Sequence, residues 1–299
     1  MKVAFLIRSL ANGGAERQLS FIASGLQKIG HSVVVLTYYA EKDITDNINY
    51  LRLIDNGVAV KSINKKGRYD LFGFLKRFLC TIRLEKPDII YSFLEMSNII
   101  ACLAKFIDQD IKIVWGKRSS DLELQKYSLS LRLEHYFEKL LSAVPDLIIA
   151  NSQQGKEYLI RCKYKSPIKV VNNGFESINE TVISEKNFLA SLYPAILEQI
   201  VIGAVGRIDY AKDYDTLIKA FTSVLKQSNN VILLIVGRIV QYDYYQSLTD
   251  LIKQNGLESK IIFLPEMNSV NKFYQSIDIF VSSSYTEGFS NVIAEAMLA

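Results

Sequence analysis

The stretch Val3-Ala4-Phe5-Leu6-Ile7, followed by Asn12-Gly13-Gly14 and then by Ala15 to Ile29, decides the fold, because the apolar period changes across it. Val3 to Ile7 is apolar throughout, as in a strand covered on both faces of its sheet. Ala15 to Ile29 places Leu19, Ile22, Ala23 and Leu26 on one helical stripe. The chain therefore opens as strand, glycine turn, helix. Working outward, Val33 to Leu36 and Val58 to Val60 are the next apolar runs, and the same alternation continues. Helices are expected at Leu71 to Leu84, Asn98 to Ile107, about Ser128 to Leu141 and Gly155 to Arg161. Strands are expected at Ile89 to Phe93, Ile111 to Trp115, Leu147 to Ala150 and Ile168 to Val171. A repeating βα order implies a parallel, doubly wound sheet with right-handed crossovers. Its ligand belongs at the carboxyl ends of the strands.

From Asn172 to Glu185 the chain turns polar, with Asn172-Asn173-Gly174 and little periodicity, and the interdomain connection is placed there. A second βα series follows. Its strands are Ile200 to Val205, Val231 to Val236, Ile261 to Phe263 and Ile279 to Val281. Its helices are Tyr214 to Lys226, Tyr244 to Asn255, Val270 to Gln275 and the run from Asn291 to Leu298. The fold class is α/β, with two Rossmann-like doubly wound domains, 1–172 and 173–299, facing across a cleft. Such clefts commonly hold small ligands.

The last stretch, Ser284 to Ala299, carries the strongest chemistry. Glu287 lies in a loop, Ser290 is a plausible N-cap, and Glu295 falls in the second helical turn. Free backbone N–H groups at a helix start favour anions. Carboxylates on either side of it can accept hydroxyls of a sugar and of a ribose. The plainer alternative is a loop acid and a helix acid, although Glu295 sits among Ala294, Ala296 and Met297, where a carboxylate asks for a partner.

Gly206-Arg207-Ile208-Asp209-Tyr210-Ala211-Lys212 follows the first strand of the second series. Arg207 and Lys212 there could hold a diphosphate and take up its charge as it leaves, or could be solvated loop cations. Gly13-Gly14 would let a phosphate approach backbone, or is a plain tight turn. It is not GxGxxG, so an NAD site is not supported. Asp108-Gln109-Asp110 and Asp213-Tyr214-Asp215 read DxD, but turn formation and helix capping explain them better than a metal. With only His31 and His135, a histidine triad or zinc site is disfavoured. Lys65 to Phe78 mixes cations with aromatics. It reads either as a membrane-surface segment or as a helix packed through Leu71, Phe74, Leu75 and Phe78, and that spacing favours packing.

Composition bounds the rest. At 49% apolar and 22% charged, the 299 residues describe a globular protein. Residues 1–150 carry 21 Lys and Arg against 16 Asp and Glu, so the front half is basic while the rest is nearly neutral. That suits an anionic partner or membrane surface, or simply a solvated basic face. No nucleic-acid partner is called for. Cys80, Cys102 and Cys162 are widely spaced and read as buried thiols of a reducing compartment. Val3 to Ile7 is too short for a signal-peptide core and no apolar run could span a bilayer, so the expected location is cytoplasmic.

With these residues in hand the chain resembles the group 1 glycosyltransferases of family 4, which have the GT-B fold. Gly13-Gly14-Ala15-Glu16-Arg17 looks like the family's first glycine loop. Ile149-Ala150-Asn151-Ser152 is similar to its ANS strand end, and Val171-Asn172-Asn173-Gly174-Phe175 to its hinge. Val205-Gly206-Arg207 with Lys212 is similar to its donor-diphosphate loop, and Glu287 to Glu295 to its E-x7-E signature. The resemblance implies a nucleoside-diphosphate sugar donor, a hydroxyl acceptor that is lipid-linked in some pathways, and retention of anomeric configuration without metal or cofactor. By it, Arg207 and Lys212 stabilise the leaving diphosphate and Glu287 bonds donor-sugar hydroxyls. The amides after Gly288, at Phe289 and Ser290, support sugar or phosphate, and Glu295 holds the ribose. The first domain becomes the acceptor side and the second the nucleotide-sugar side. Cell-surface polysaccharide or glycolipid assembly at the inner face of the membrane is the implied setting.

The chain departs from the pattern in three places. Trp115-Gly116-Lys117-Arg118-Ser119-Ser120 lacks the histidine many members carry there, which makes Arg118 the candidate for acceptor or donor contact. The next glycine-rich turn is reduced to Gly237-Arg238. The sequence ends at Ala299, inside the signature helix, where members continue, so it reads as C-terminally truncated with an incomplete second domain. Two other readings fit the same residues: a non-catalytic nucleotide-sugar-binding protein or inactive fragment, and a GT-B nucleotide-sugar epimerase, for which two histidines are few.

Overall fold

The structure is a computed structural model that describes residues 1–11, 13–39, 47–67, 69–118, 129–175, 189, 196, 198–267, 270–285 and 287–299. Asn12 of the first glycine turn, Arg68 of the basic stretch, Ser119, Ser120, the expected helix start at Ser128, residues 176–185 of the connection, and Thr286 lie outside them. The chain forms two compact units, Met1–Gly174 and Phe175–Ala299.

Unit 1 contains strands β1 (Lys2–Ile7), β2 (Ser32–Thr37), β3 (Ala59–Ser62), β4 (Ile89–Phe93), β5 (Lys112–Lys117), β6 (Leu147–Ala150) and β7 (Ile168–Val170). They form one sheet in the order β3-β2-β1-β4-β5-β6-β7, with every neighbouring pair parallel. The period of two within β1 explains why that strand had to be apolar throughout. Ala4 and Leu6 enter the cluster on one face, with Phe74, Phe78 and Trp115, while Val3, Phe5 and Ile7 enter the cluster on the other, with Leu19 and Ala23. Each such side chain contributes about 1.5–3 kcal/mol by leaving water.

The helices are α1 (Gly14–Lys28), α2 (Ile48–Asp55), α3 (Leu71–Glu85), α4 (Glu95–Ala101), α5 (Leu129–Leu140) and α6 (Gln153–Arg161). Helix α2 was not foreseen: it is eight residues long and buries only Asn49 and Leu53, too little for a period, and its signal is the Asn47 cap that accepts from the Asn49 N–H at 2.8 Å. The helix expected over Asn98 to Ile107 instead starts at Glu95 and tightens into a 3-10 turn over Cys102–Phe106. Helix α3 packs through Phe74 and Phe78, both fully buried, and the half-buried Leu75, while Leu71 is exposed because it opens the first turn of the helix. Of the three cysteines, only Cys102 is buried. Cys80 is exposed on α3, contrary to the expectation, because it lies outside the stripe set by Phe74, Phe78 and Ile82. Among the described residues no helix is long and apolar enough to cross a membrane.

Unit 2 has strands β8 (Ile200–Val205), β9 (Val231–Val236), β10 (Ile261–Leu264) and β11 (Ile279–Phe280) in the order β10-β9-β8-β11, again parallel. Its helices are α7 (Tyr214–Leu225), α8 (Tyr242–Gln254), α9 (Asn271–Ser276) and α10 (Asn291–Leu298). Strand β9 divides its side chains as β1 does, Val231, Leu233 and Ile235 to one face and Ile232, Leu234 and Val236 to the other. Asp213 caps α7 by accepting from the Thr216 N–H, and the Asp110 N–H donates to Asp108 in a turn, so both DxD segments have local structural work.

Candidate active site

Unit 2 gathers the larger part of the expected site at the carboxyl end of β8. The chain leaves β8 at Gly206-Arg207, crosses to the β9 end through a parallel bridge between Ile208 and Ile239, makes a 3-10 turn at Tyr210–Lys212, and enters α7. Two glycines permit this path. A Cβ on Gly237 would stand 1.8 Å from the Gly206 carbonyl oxygen, so the one glycine kept after β9 is the one the backbone crossing requires. The Tyr214 hydroxyl donates to the same carbonyl at 3.0 Å, and burial pushes its pKa up, so it remains a donor.

The loop after β11 is stitched to this turn. The Tyr285 N–H donates to the Ala211 carbonyl at 3.0 Å and the Ser283 hydroxyl to the Lys212 carbonyl at 2.8 Å. Across that seam Lys212 forms an ion pair with Glu287, seventy-five positions away. The Ser284 hydroxyl donates to the same carboxylate at 2.9 Å. A small pocket here is lined by Lys212, Tyr214, Ser282, Ser283 and Ser284 beside Ala204 and Val205. The pair keeps partial access to solvent, with side chains 17% and 31% exposed. Arg207 shares the loop but pairs with Asp209 at 3.1 Å, its side chain well exposed.

Glu295 finds the partner its apolar surroundings demanded. It is buried in the second turn of α10 and accepts from the Tyr274 hydroxyl of α9 at 3.2 Å. Ser290 does take the N-cap position, but no side-chain capping bond forms, and its hydroxyl is buried without a partner among the described residues. The helix start thus offers backbone N–H groups to a ligand. Gly288 leads into Phe289, whose ring packs on Phe175 at 5.8 Å between centroids.

In unit 1, Gly13 is the N-cap of α1 and Gly14 its first residue. The Glu16 carboxylate folds back over Gly13, where an added Cβ would meet it at 2.1 Å. A negative group stands where a phosphate would approach, so an anion there requires Glu16 to move. Arg118, just past β5, is committed within its own unit. It donates to the Asn173 side chain at 2.8 Å and lies over the Phe93 ring at 4.4 Å. Gln18 fixes the same exit by a two-way pair of bonds with the Gly174 backbone, at 2.8 and 2.9 Å.

Beside Arg118 stands a cluster that sequence reasoning missed. The Lys117 ammonium, at the end of β5, meets Glu95 at 2.9 Å and Glu138 at 2.8 Å, and both Lys117 and Glu138 are almost wholly buried. Glu138 also accepts from the Tyr164 hydroxyl at 2.9 Å and the Asn98 amide at 2.7 Å. Burial alone would lower the Lys117 pKa, but Glu138 and Glu95 outweigh it and hold the ammonium charged well above the usual lysine range. Lys117 in turn holds Glu95 below the usual carboxylate range. Glu95 enters this cluster from a turn at Leu94 with φ 74° and ψ 156°, a conformation that costs a non-glycine residue about 1–3 kcal/mol. The one local hint was a lysine closing a strand whose four preceding residues, Ile113 to Gly116, are apolar.

Against known proteins, the profile of Glycosyltransferase Family 4 matches residues 12–177 and that of Glycosyl transferases group 1 matches residues 193–299. The chain is 26% identical over 305 residues to an N-acetylgalactosamine-N,N'-diacetylbacillosaminyl-diphospho-undecaprenol 4-alpha-N-acetylgalactosaminyltransferase of Campylobacter jejuni, covering 99% of this chain and 78% of that protein. It is 29% identical over 255 residues to a capsular polysaccharide biosynthesis glycosyltransferase of Staphylococcus aureus, covering 82% of this chain and 66% of that one. In structure it is similar to Anabaena HepE in complex with UDP and glucose, at a TM-score of 0.82 and 24% identity, over 100% of this chain and 78% of that one.

Proposed function

The chain belongs to Glycosyltransferase Family 4, and from that premise we propose that it moves a sugar from a nucleoside-diphosphate donor to a hydroxyl acceptor, with retention and without a metal. Its fold is the α/β fold of the GT-B glycosyltransferases. The observation that carries the reading is the Lys212 to Glu287 pair at the β8 carboxyl end, with Arg207 on the same loop.

In this reading the Lys212 and Arg207 cations take the donor diphosphate and stabilise its charge as the sugar C1–O bond breaks. Glu287 accepts donor-sugar hydroxyls, oriented by Ser284. The amides of Phe289 and Ser290 face the sugar or phosphate, and Glu295, braced by Tyr274, accepts the ribose hydroxyls. The acceptor oxygen bonds to C1, and its proton passes to the departing phosphate. Unit 1 is assigned the acceptor side. The Campylobacter relative's named undecaprenol-linked substrate supports a lipid-linked acceptor here, in polysaccharide or glycolipid assembly at a membrane surface.

A panel of nucleotide sugars, assayed for hydrolysis and for transfer, tests this. Glu287→Ala and Arg207→Ala should each lower turnover about 10²–10³-fold. Turnover that survives both substitutions sinks the site assignment, and donor binding without turnover points to a non-catalytic binding protein instead.

A further inference from the structure

The neighbouring strands β4, β5 and β6 end beside two shielded polar atoms that no protein group satisfies. The Arg118 guanidinium, one residue past β5, lies over the Phe93 ring at the end of β4, donates to the Asn173 side chain at 2.8 Å and reaches the Tyr91 hydroxyl only at 3.5 Å. Its Nε is closed off from water and has no hydrogen-bond partner among the described residues. Burial pulls its pKa down, and the charge that opposes this comes from Tyr91 and not from a carboxylate. Asn151, one residue past β6 and 3% exposed, donates its side-chain amide to the Arg118 carbonyl at 3.4 Å, which leaves Oδ1 without a partner among the described residues. That donation fixes the amide orientation, since the flipped group would set its oxygen against a carbonyl oxygen. Lys117, next in the chain, has two glutamates, whereas Arg118 has none. Shielded cations are normally paired and shielded polar atoms normally bonded, and strand carboxyl ends are where parallel sheets take their ligands.

We propose that Arg118 and Asn151 form a glycosyl-phosphate site in unit 1, with phosphate oxygens on the guanidinium and a hydroxyl of the attached sugar donating to Asn151 Oδ1. The two vacancies are opposite in kind. The guanidinium edge needs an acceptor with negative charge, and Oδ1 needs a donor. A bare anion fills the first and a neutral sugar the second, while a sugar carried on a phosphate fills both. Phe93 covers one face of the guanidinium, so the anion meets its edge in plane, the geometry in which arginine holds phosphate. The inference deepens the transferase reading and rests on it for its purpose. A nucleotide-sugar donor and a sugar borne on a lipid diphosphate both contain this group, and the experiment separates the two sources.

The test is calorimetric titration of the full chain carrying Arg207→Ala and Lys212→Ala, so that the unit 2 cations do not contribute, with inorganic phosphate, glucose 1-phosphate and N-acetylgalactosamine 1-phosphate. At least one hexose 1-phosphate should bind about tenfold more tightly than inorganic phosphate. Adding Arg118→Met should weaken that binding at least about tenfold without lowering the melting temperature of the free chain. Asn151→Ala, which keeps the guanidinium, should bring the hexose 1-phosphates down to the level of inorganic phosphate. Absence of hexose 1-phosphate binding, or binding that both substitutions leave intact, overturns the proposal. So does an Arg118→Met chain that melts lower yet binds as before, which would make Arg118 a brace for Asn173. With the wild-type chain saturated in a nucleoside diphosphate, hexose 1-phosphate that still binds assigns the site to the acceptor, and hexose 1-phosphate that is displaced assigns it to the donor. No sugar is transferred in these titrations. A chain that binds hexose 1-phosphate through Arg118 yet transfers nothing therefore overturns only the transferase reading, and the reverse result only this one.

Discussion

Each unit ends a parallel strand near a lysine that meets glutamate, and the two arrangements differ in almost everything that follows. Lys117 is sealed: its side chain is 1% exposed, Glu138 is 0% exposed, and a tyrosine and an asparagine complete the carboxylate's bonds. Lys212 and Glu287 are 17% and 31% exposed, beside a serine-lined pocket, and Ser284 donates to the same carboxylate. Breaking a buried pair strands the remaining charge in the interior, so either partner is costly to remove alone. A pair left open to solvent at the strand ends can exchange its partner for a ligand, and it contributes little to stability.

The comparison breaks most sharply at Lys117. Replacement by Met leaves Glu95 and Glu138 facing a buried gap without a cation, and the unfolding free energy measured in urea should fall by about 3–5 kcal/mol. A loss below about 1 kcal/mol would place the two pairs in one class. Lys212→Ala should do the reverse. Stability should move by less than about 1 kcal/mol, while transfer from the nucleotide sugar falls about 10²–10³-fold. A large drop in melting temperature with activity retained would make Lys212 a structural residue after all.

The smallest expected effect is in acid. Burial, with Lys117 nearby, pulls the His135 pKa below its ordinary value, so the folded state favours the neutral ring. Glu95 is depressed as well. In both cases the unfolded chain binds more protons as pH falls, so stability decreases with falling pH, first as unfolded histidine charges near pH 6.5 and again through the carboxylate range. The raised Lys117 acts at the other end: its contribution is complete below the ordinary lysine pKa and is lost only as pH rises through its folded value. Denaturation curves should show lower stability at pH 5.5 than at pH 7.5, and His135→Asn should flatten that step. An unchanged difference in the variant would place the acid sensitivity elsewhere.

Much of the fold was legible because the signals are local. Continuous apolar runs such as Val231 to Val236 announce strands buried on both faces, and the stripe from Tyr214 to Leu225 announces its helix. The short α2, with two buried residues, carried too little period to read. Along the site, Arg207, Lys212, Glu287 and Glu295 stood out because each follows a strand or opens a helix, where ligands of parallel sheets bind.

Local pattern is enough for the order of elements, the all-parallel character of the sheets, and the loops on which the charges sit, since periodicity and turn chemistry act over a few residues. Which charges meet depends on how the elements pack. Lys212 finds Glu287, and Lys117 finds Glu95, because the strand order sets carboxyl ends side by side that lie far apart along the chain, and α5 brings Glu138 to the same lysine. Arg118 meets Asn173, fifty-five positions away along the chain. Helix α5 faces outward with its leucines because buried Glu138 had to reach Lys117, a contact between elements that no local pattern records.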